Sequence, residues 1–187
     1  PPPPIFFLHP QPAPPDAQES RGLGDVYKRQ GYSSSGEVVQ TGKGVSDFHT
    51  GDRVVSNGNH AEYVVVNQNL CTRIPDNTDI KEASFTVLGS IALHGLRLSE
   101  TSLGSKVVVI GLGIIGQLVC RLAEAQGSEV IGIDPDTKRT DMSTNFYTSV
   151  EEANMTNVDS VIITAATSSN EPIEAVSYTH LTLPTKA

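Results

Sequence analysis

The chain has 187 residues, a length that allows one or two domains, and a hydrophobic content of 37% that is low but compatible with a folded core. Its formal net charge of −8 argues against nucleic acid and anionic membrane as partners, because both favour a basic protein face. No apolar run approaches the roughly 20 residues that a membrane helix needs, and the first segment lacks the basic start and cleavage pattern of a signal peptide. We therefore expect no membrane association and a cytoplasmic location.

Both ends of the chain look foreign to the rest. Pro1–Glu19 is proline-rich without helical or strand periodicity, and Ser20–Gln30 resembles the in-frame translation of a sequencing adapter. Val176–Lys186 resembles the adapter of the opposite strand. We interpret residues 1–30 as a non-native, disordered leader and residues 176–187 as a non-native tail. What lies between is then a reading frame clipped at both ends, and we expect the fragment itself to be inactive.

Residues 31–98 form a small unit rich in β-patterned sequence. Short runs separated by glycine and asparagine turns predict strands at Gly36–Gln40, Asp52–Ser56, Ala61–Val66 and Leu70–Ile74. Asp79 is expected to cap a helix over Ile80–Leu88, because its carboxylate can accept hydrogen bonds from the first N–H groups of that helix. A second short helix is predicted over Ile91–Leu98.

Residues 99–175 alternate strands and helices. The continuous apolar, β-branched run Lys106–Ile110 predicts a strand that is buried on both faces. A helix over Ile114–Gln126 and strands over Glu129–Ile133 and Val158–Ala165 follow. This alternation is typical of an α/β fold with a doubly wound parallel sheet.

Gly111, Gly113 and Gly116 form a Gly-x-Gly-x-x-Gly motif between the first of these strands and the helix. Gly111 permits a tight turn, Gly113 lets a pyrophosphate approach the backbone, and Gly116 lets the helix pack closely on the strand. The helix N-terminus, at Ile114 and Ile115, offers free N–H groups and the positive end of the helix dipole. The motif predicts a dinucleotide site, and the alternative is a glycine-rich turn in an unrelated α/β domain.

Two further positions complete the predicted cofactor site. Asp134 ends the second strand, about 20 residues beyond the glycines, where an acid accepts a hydrogen bond from a ribose 2′-hydroxyl. The same carboxylate would repel a 2′-phosphate, so the predicted cofactor is NAD and NADP is disfavoured. The residues that end the third strand, Thr164, Ala165, Ala166 and Thr167, are expected at the crevice that receives the nicotinamide ribose.

Several segments together resemble the medium-chain dehydrogenase/reductase superfamily, which includes zinc alcohol dehydrogenases and zinc-free quinone reductases. Beside the cofactor motif, they are Gly31–Gly36, Gly42–Phe48, Gly51–Val54, Ala61–Tyr63 and Ile74–Asp76. The resemblance implies a partial GroES-like β-barrel catalytic domain over residues 31–98 and a partial Rossmann domain over residues 99–175. It also implies that Arg139 lies near the adenine edge or its ribose, and a solvated loop charge is the alternative.

The sequence departs from the zinc members of that superfamily. Their zinc-binding histidine and the glutamate after it are replaced here by Tyr32 and Ser33, and the position of another ligand falls at or near Thr86. None of these is a good zinc ligand. The two cysteines, Cys71 and Cys120, share no metal-ligand spacing and are interpreted as buried, inert thiols. We therefore expect no metal site and zinc-independent chemistry.

The resemblance implies an NAD-dependent oxidoreductase that moves hydride between nicotinamide and a carbonyl or alcohol carbon of a small molecule. It extends to a branch with a fused sugar-type oxidoreductase domain, found in bacterial surface-polysaccharide gene clusters, and it allows a homo-oligomer in the full-length protein. A zinc-free quinone or enoyl reductase and a non-catalytic NAD-binding module are the alternatives. The catalytic residue is left open, with Tyr32, His60 and His94 as candidates.

Overall fold

The computed structural model describes residues 6–10, 31–140, 145–153 and 155–165. The chain divides into two compact units, Pro1–Val87 and Leu88–Ala187, which we call the first and the second unit. The predicted non-native segments lie largely outside the described residues, which include only 6–10 of the leader and nothing of 176–187. No helix of the described part is long and apolar enough to cross a membrane.

The first unit contains a five-stranded antiparallel sheet with the strand order β4-β1-β2-β3-β5. Its strands are β1 (Phe6–Pro10), β2 (Ser34–Thr41), β3 (Arg53–Ser56), β4 (Val64–Val66) and β5 (Cys71–Arg73). The four predicted strands are confirmed, although β4 and β5 are shorter than expected, and a single 3₁₀ turn over Gln68–Leu70 separates them. The apolar core of this sheet consists of Phe48 and of four buried strand valines, Val38, Val54, Val64 and Val66.

Strand β1 corrects the expectation that the whole leader lacks secondary structure. It pairs antiparallel with β2 on one side and with β4 on the other, with Phe6 opposite Thr41 and Leu8 opposite Val64. A strand is stabilised by its ladder partners, which here lie far along the sequence. The local pattern of a proline-rich segment carries no signal of those partners, and the strand was therefore missed.

The helical segment after the first sheet is divided differently from the prediction. Helix α1 covers Ile80–Ala83 and helix α2 covers Thr86–Leu98, whereas the sequence predicted helices over 80–88 and 91–98. Asp79 caps α1 as predicted, accepting from the N–H groups of Lys81 and Glu82. Helix α1 ends at Ala83, and Ser84 is its C-cap. The hydroxyls of Ser84 and Thr86 donate to carbonyls three residues back, and these bonds compete with the continuation of the helix.

The second unit contains a four-stranded parallel sheet with the strand order β8-β7-β6-β9. Its strands are β6 (Lys106–Ile110), β7 (Glu129–Ile133), β8 (Phe146–Tyr147) and β9 (Ser160–Ile163), and its further helices are α3 (Ile114–Ala125) and α4 (Thr137–Thr140). In chain order this sheet reads 3-2-1-4, the start of the doubly wound nucleotide-binding fold, so the predicted fold class is confirmed. Strands β6 and β7 have the predicted bounds, whereas β8 and α4 were not predicted.

Apolar residues cover both faces of the parallel sheet. Val107 and Val109 pack with buried residues of α2 and α3 on one face, and Val108 and Ile110 pack with Ala153 and Met155 on the other. Because Ala92 and Leu96 of α2 belong to the first of these clusters, most of α2 lies in the second unit. The sequence had placed the domain boundary after residue 98.

Candidate functional site

The turn that follows β6 requires glycine at its first position. Gly111 has a φ of +95°, and its N–H donates to the carbonyl of Ile133 at the end of β7 over 2.8 Å. A Cβ at this position would lie 2.6 Å from the backbone nitrogen of Ala165. Only a residue without a side chain fits both the backbone conformation and the space between β7 and the end of β9.

The other two glycines serve different purposes. A Cβ at Gly116 would lie 1.9 Å from the carbonyl oxygen of Gly111 and 2.7 Å from the Thr164 hydroxyl, so this glycine allows α3 to approach the turn. A Cβ at Gly113 would have no heavy atom within 4 Å. Gly113 is therefore not required by internal packing, and the open space in front of it would suit a ligand.

The N-terminus of α3 begins at this open position. Gly113 is its N-cap residue, and within the described part of the chain no side chain caps the helix there. The first N–H groups of a helix lack partners inside the helix and favour anions. The N–H groups at Ile114, Ile115 and Gly116 belong to this first turn, and their contact with a phosphate stays a prediction.

Asp134 lies at the C-terminal end of β7 and is only 3% exposed. One carboxylate oxygen, Oδ2, accepts from the N–H of Leu112 at 2.7 Å, and the other accepts from the N–H of Asp136 at 2.9 Å. Burial by itself raises the pKa of Asp134, but these two N–H donors and the Arg139 guanidinium outweigh it and hold the pKa below its ordinary value. The carboxylate is therefore ionised at neutral pH.

Arg139 forms an ion pair with the predicted ribose acceptor. Its Nη1 lies 3.1 Å from Oδ2 of Asp134, and its Nε lies 3.4 Å from the carboxylate of Asp136. The side chain is about half exposed. The structure thus places the Arg139 guanidinium beside Asp134, and its contact with the adenine or its ribose stays a prediction.

Ala165 follows β9 and lies against Gly111. The residue before it, Thr164, donates its hydroxyl to the Gly111 carbonyl over 2.6 Å. Ala166 and Thr167, also expected at this crevice, lie outside the described residues. The structure therefore brings the ends of β6, β7 and β9 together around one turn, where a doubly wound sheet binds its ligand.

Sequence reasoning missed two residues that shape the turn. Leu112, between the first two glycines, is fully buried and joins the core between the sheet and α3. Gln117 donates its side-chain amide to the Leu112 carbonyl over 3.0 Å. The apolar character of Leu112, between two glycines of a turn, is the sequence signal that could have predicted its burial. Nothing in the local pattern identifies the glutamine.

The catalytic candidates are distributed over both units. Tyr32 is 53% exposed in the first unit. A Cβ at Gly31 would lie 2.4 Å from the His60 imidazole, so that ring packs directly on the backbone before β2. His94 is exposed on α2 and belongs to the second unit. These positions leave the predicted catalytic roles untested.

Ser33, next to the zinc-ligand position of Tyr32, and Thr86, at or near another ligand position, both bond to backbone carbonyls at the end of α1. The Ser33 hydroxyl donates to the carbonyl of Ser84, and the Thr86 hydroxyl donates to that of Ala83 at 2.7 Å. Across the described residues, no group of three or more His, Cys, Asp or Glu side chains could hold a metal ion. Burial raises the pKa of Cys71 to about 11 and that of Cys120 to about 12, which makes both thiols unreactive at neutral pH.

Two family models match the chain. That of the alcohol dehydrogenase GroES-like domain matches residues 17–76, and that of the D-isomer specific 2-hydroxyacid dehydrogenase NAD-binding domain matches residues 86–183, more than half of the chain. D-guloside 3-dehydrogenase of Escherichia coli (strain K12) is 34% identical over 136 residues, which cover 71% of this chain and 38% of that protein. The chain belongs to the medium-chain dehydrogenase/reductase superfamily.

Other members of the superfamily agree with this assignment. The (R,R)-butanediol dehydrogenase of Bacillus subtilis (strain 168) is 30% identical over 125 residues, covering 52% of this chain and 36% of that protein. The structure of CAD from Helicobacter pylori complexed with NADP(H) superimposes with a TM-score of 0.66 at 20% identity, covering 73% of this chain and 52% of that one. That likeness shows the shared fold.

A quinone oxidoreductase of Pseudomonas syringae pv. Tomato DC3000 has the same fold, with a TM-score of 0.59 at 17% identity and coverage of 93% of this chain and 55% of that one. This chain spans roughly two fifths of the length of its curated relatives in the superfamily. It carries an NAD-binding domain of the dehydrogenase type together with GroES-like sequence.

Proposed function

We propose that this chain is the dinucleotide-binding part of an NAD-dependent oxidoreductase that interconverts an alcohol and a carbonyl compound. The observation that carries the proposal is the joint placement of the glycine turn, the uncapped α3 N-terminus and the ionised Asp134 at one edge of a parallel sheet. The second unit thereby offers N–H donors for a diphosphate and a carboxylate for a ribose. The predicted cytoplasmic location and the homo-oligomer of the full-length protein belong to the same proposal.

Two features of the turn support the binding of a dinucleotide. Gly113 leaves open space, and the N–H groups at Ile114, Ile115 and Gly116 would donate to the pyrophosphate. When bound, the nicotinamide ring supplies or accepts a hydride at its C4 carbon. The contribution of this unit is to hold the cofactor in register with a substrate, which lowers the entropic part of the barrier.

The preference for NAD over NADP follows from the hydrogen-bond capacity of Asp134. A carboxylate has about four acceptor sites. Three are used by the N–H groups of Leu112 and Asp136 and by Arg139, so one stays available on Oδ1 for a ribose hydroxyl. A 2′-phosphate would bring a second negative charge to a carboxylate that is almost wholly buried, and we therefore propose NAD as the cofactor.

Replacing Asp134 tests this cofactor assignment. We expect the protein to bind NADH more tightly than NADPH in calorimetric titrations, and Asp134→Asn to narrow that preference by roughly tenfold, because a neutral amide no longer repels the 2′-phosphate. Asp159→Asn is the matched control, since Asp159 also accepts a backbone N–H, from Lys106, at the opposite end of the sheet. An unchanged preference in D134N, or no binding of NADH by the unaltered protein, would contradict the proposal.

The pH dependence of NADH binding gives an independent test. The lowered pKa of Asp134 keeps the carboxylate ionised, and so able to accept from a ribose hydroxyl, at every pH above the ordinary carboxyl value. The folding stability that accompanies the lowered pKa is present above that value and is lost as the pH falls through the folded pKa. We expect NADH affinity to be flat from roughly pH 6 to 8 and to fall only below the ordinary range of an aspartate, about 3.9. A loss of affinity centred near pH 6.5 would point to a histidine instead.

Zinc-independent chemistry is part of the proposal. It is supported by the hydroxyls of Ser33 and Thr86, which donate to backbone carbonyls, and by the phenol of Tyr32, since none of these groups is a good zinc ligand. Metal analysis of the full-length enzyme is expected to find less than one zinc per ten chains, and a chelator is expected to leave its turnover unchanged. Stoichiometric zinc with chelator-sensitive turnover would overturn this part.

The proposed substrate is a small sugar-type or polyol alcohol, or the corresponding ketone, of the kind that bacterial surface polysaccharides contain. The names of three relatives specify a guloside, a butanediol and xylulose as their substrates. A panel of sugar derivatives, simple ketones, quinones and enoyl thioesters, assayed with NADH and the full-length enzyme, tests this choice. Turnover of quinones or enoyl thioesters alone would favour a reductase, and binding without any turnover would favour a non-catalytic NAD-binding module.

A further inference from the structure

The peptide unit between Gly111 and Leu112 is held from both sides by residues of different strands. Its carbonyl oxygen accepts from the Thr164 hydroxyl at 2.6 Å, and its N–H donates to Oδ2 of Asp134 at 2.7 Å. Thr164 follows β9 and Asp134 follows β7, the two strands that flank β6 in the sheet. One peptide plane in the glycine turn is therefore fixed across the width of three strands.

The hydroxyl of Thr164 has one proton and two carbonyls within reach. It lies 2.6 Å from the Gly111 oxygen and 3.3 Å from the Ile110 oxygen, and the latter already accepts from the Thr164 N–H at 2.8 Å. The shorter contact makes Gly111 the preferred acceptor. The backbone N–H of Thr164 thus bonds to the Ile110 carbonyl, whereas its hydroxyl bonds to the Gly111 carbonyl in the turn.

A rotated peptide would be unfavourable in this position. The Gly111 oxygen lies between the Thr164 hydroxyl and the backbone of α3, only 1.9 Å from where a Cβ on Gly116 would be. If the peptide turned over, its carbonyl would face the Asp134 carboxylate, and the Leu112 N–H would lose its acceptor. The Thr164 hydroxyl opposes that rotation, because its shorter hydrogen bond, to the Gly111 oxygen, forms only in the observed orientation and the Ile110 oxygen at 3.3 Å is a weaker acceptor.

We propose that Thr164 is a positioning residue for dinucleotide binding, which acts by fixing the orientation of the Gly111–Leu112 peptide. This inference rests on the proposed function. The peptide leads directly into Gly113 and the first turn of α3, so its orientation decides where the phosphate-binding N–H groups point. It also keeps Asp134 at the end of β7 through the Leu112 N–H.

Calorimetric titration of NADH into the full chain tests this role. Thr164→Val removes the hydroxyl and keeps the shape of the side chain, and we expect NADH to bind roughly three- to tenfold more weakly. Thr164→Ser keeps the hydroxyl, and its affinity is expected to stay within about twofold of the unaltered protein. Thr101→Val is the matched control, because its hydroxyl contacts the Ser99 hydroxyl and the side-chain amide of Gln126, at the end of α3 opposite to the turn, and it is expected to leave affinity unchanged.

Coupling to Asp134 separates a positioning role from a general loss of stability. Because Thr164 and Asp134 hold the same peptide, the T164V/D134N double variant is expected to lose less affinity than the product of the two single losses. Amide hydrogen exchange at Leu112 is expected to be faster in T164V and unchanged in T101V. If T164V does not fold, Thr164→Ala provides the same comparison with a smaller side chain.

The inference fails if T164V binds NADH as tightly as T101V, if serine does not restore binding, or if the two single losses multiply. If the unaltered protein does not bind NADH at all, the proposed function fails together with the inference. If the unaltered protein binds NADH and T164V binds it equally well, the proposed function stands and only the role of Thr164 is lost.

Discussion

The two units of this chain are stabilised in different ways. The first unit attaches α1 to its sheet through side chains that donate to backbone carbonyls: Ser35 to Ile80 at 2.5 Å, and Arg53 to Thr78 at 2.5 Å. The second unit is built around strands that are buried on both faces, with Val107 and its two following valines fully inaccessible. In the first unit, side-chain bonds to the backbone thus add to the apolar contacts of α1 with the sheet, whereas apolar packing dominates the second unit.

The two units also differ in the polar groups that remain for a ligand. In the second unit, Asp134 and Thr164 hold the peptide that precedes Gly113, and no described side chain caps the N-terminus of α3. The hydroxyls of the first unit at Ser33 and Thr86 are already used to hold α1 and the start of α2. The N–H groups at the start of α3 are therefore the better place for an anionic ligand.

The largest effect that the comparison predicts is that of Gly116→Ala in the second unit. The new Cβ would meet the Gly111 carbonyl at 1.9 Å, and neither backbone can move without displacing α3 from the sheet. We expect a loss of about 3 kcal/mol in the free energy of unfolding, measured by urea denaturation, and no detectable NADH binding.

Gly113→Ala is the matched control within the same motif. Its Cβ enters open space, so the stability is expected to change by less than about 0.5 kcal/mol, whereas NADH affinity falls because the methyl group occupies the approach to the helix N-terminus. Equal losses of stability in G113A and G116A would show that the two glycines do not divide into a packing role and a binding role.

A smaller effect is expected from Val109→Ala in the core of the second unit. Val109 belongs to β6 and is fully buried against α2 and α3. Removing two methyl groups there should lower the free energy of unfolding by about 2 kcal/mol. Val39→Ala is the control, since Val39 is an exposed strand residue of the first unit. A cost of V109A no larger than that of V39A would contradict the account of the second unit as packing-dominated.

The accuracy of the sequence predictions also differs between the two units. The bounds of β6 and β7 and the start of α3 were obtained directly, because long apolar runs interrupted by glycine give a strong local signal. Strand β1 and the break at Ser84 were missed, because the first depends on partners distant in sequence and the second on side chains that bond back to the backbone. Neither cause affects the local residue propensities or the hydrophobic periodicity on which the predictions rest.

In the candidate site, too, residues were predicted from local patterns, but the contacts between distant residues were not. The glycines and Asp134 were identified from their spacing along the chain, which a phosphate and a ribose dictate. The contacts of Asp134 with the Leu112 N–H and with Arg139 were not predicted, nor was the bond from Thr164 to the turn. Those contacts join residues 5 to 53 positions apart, so only the folded sheet brings them together.

The smallest predicted effect belongs to the first unit. Ser35→Ala removes one hydroxyl bond to the Ile80 carbonyl, and we expect a loss of about 1 kcal/mol in the free energy of unfolding, with α1 affected first. Ser46→Ala is the control, because the Ser46 hydroxyl donates to the neighbouring, exposed Asp47 side chain, so its removal should cost less than about 0.5 kcal/mol. Hydrogen exchange at Ala83 should rise in S35A and not in S46A. If the two variants behave alike, side-chain bonds to the backbone do not hold α1 on the sheet, and the contrast between the units would then lie in their core packing alone.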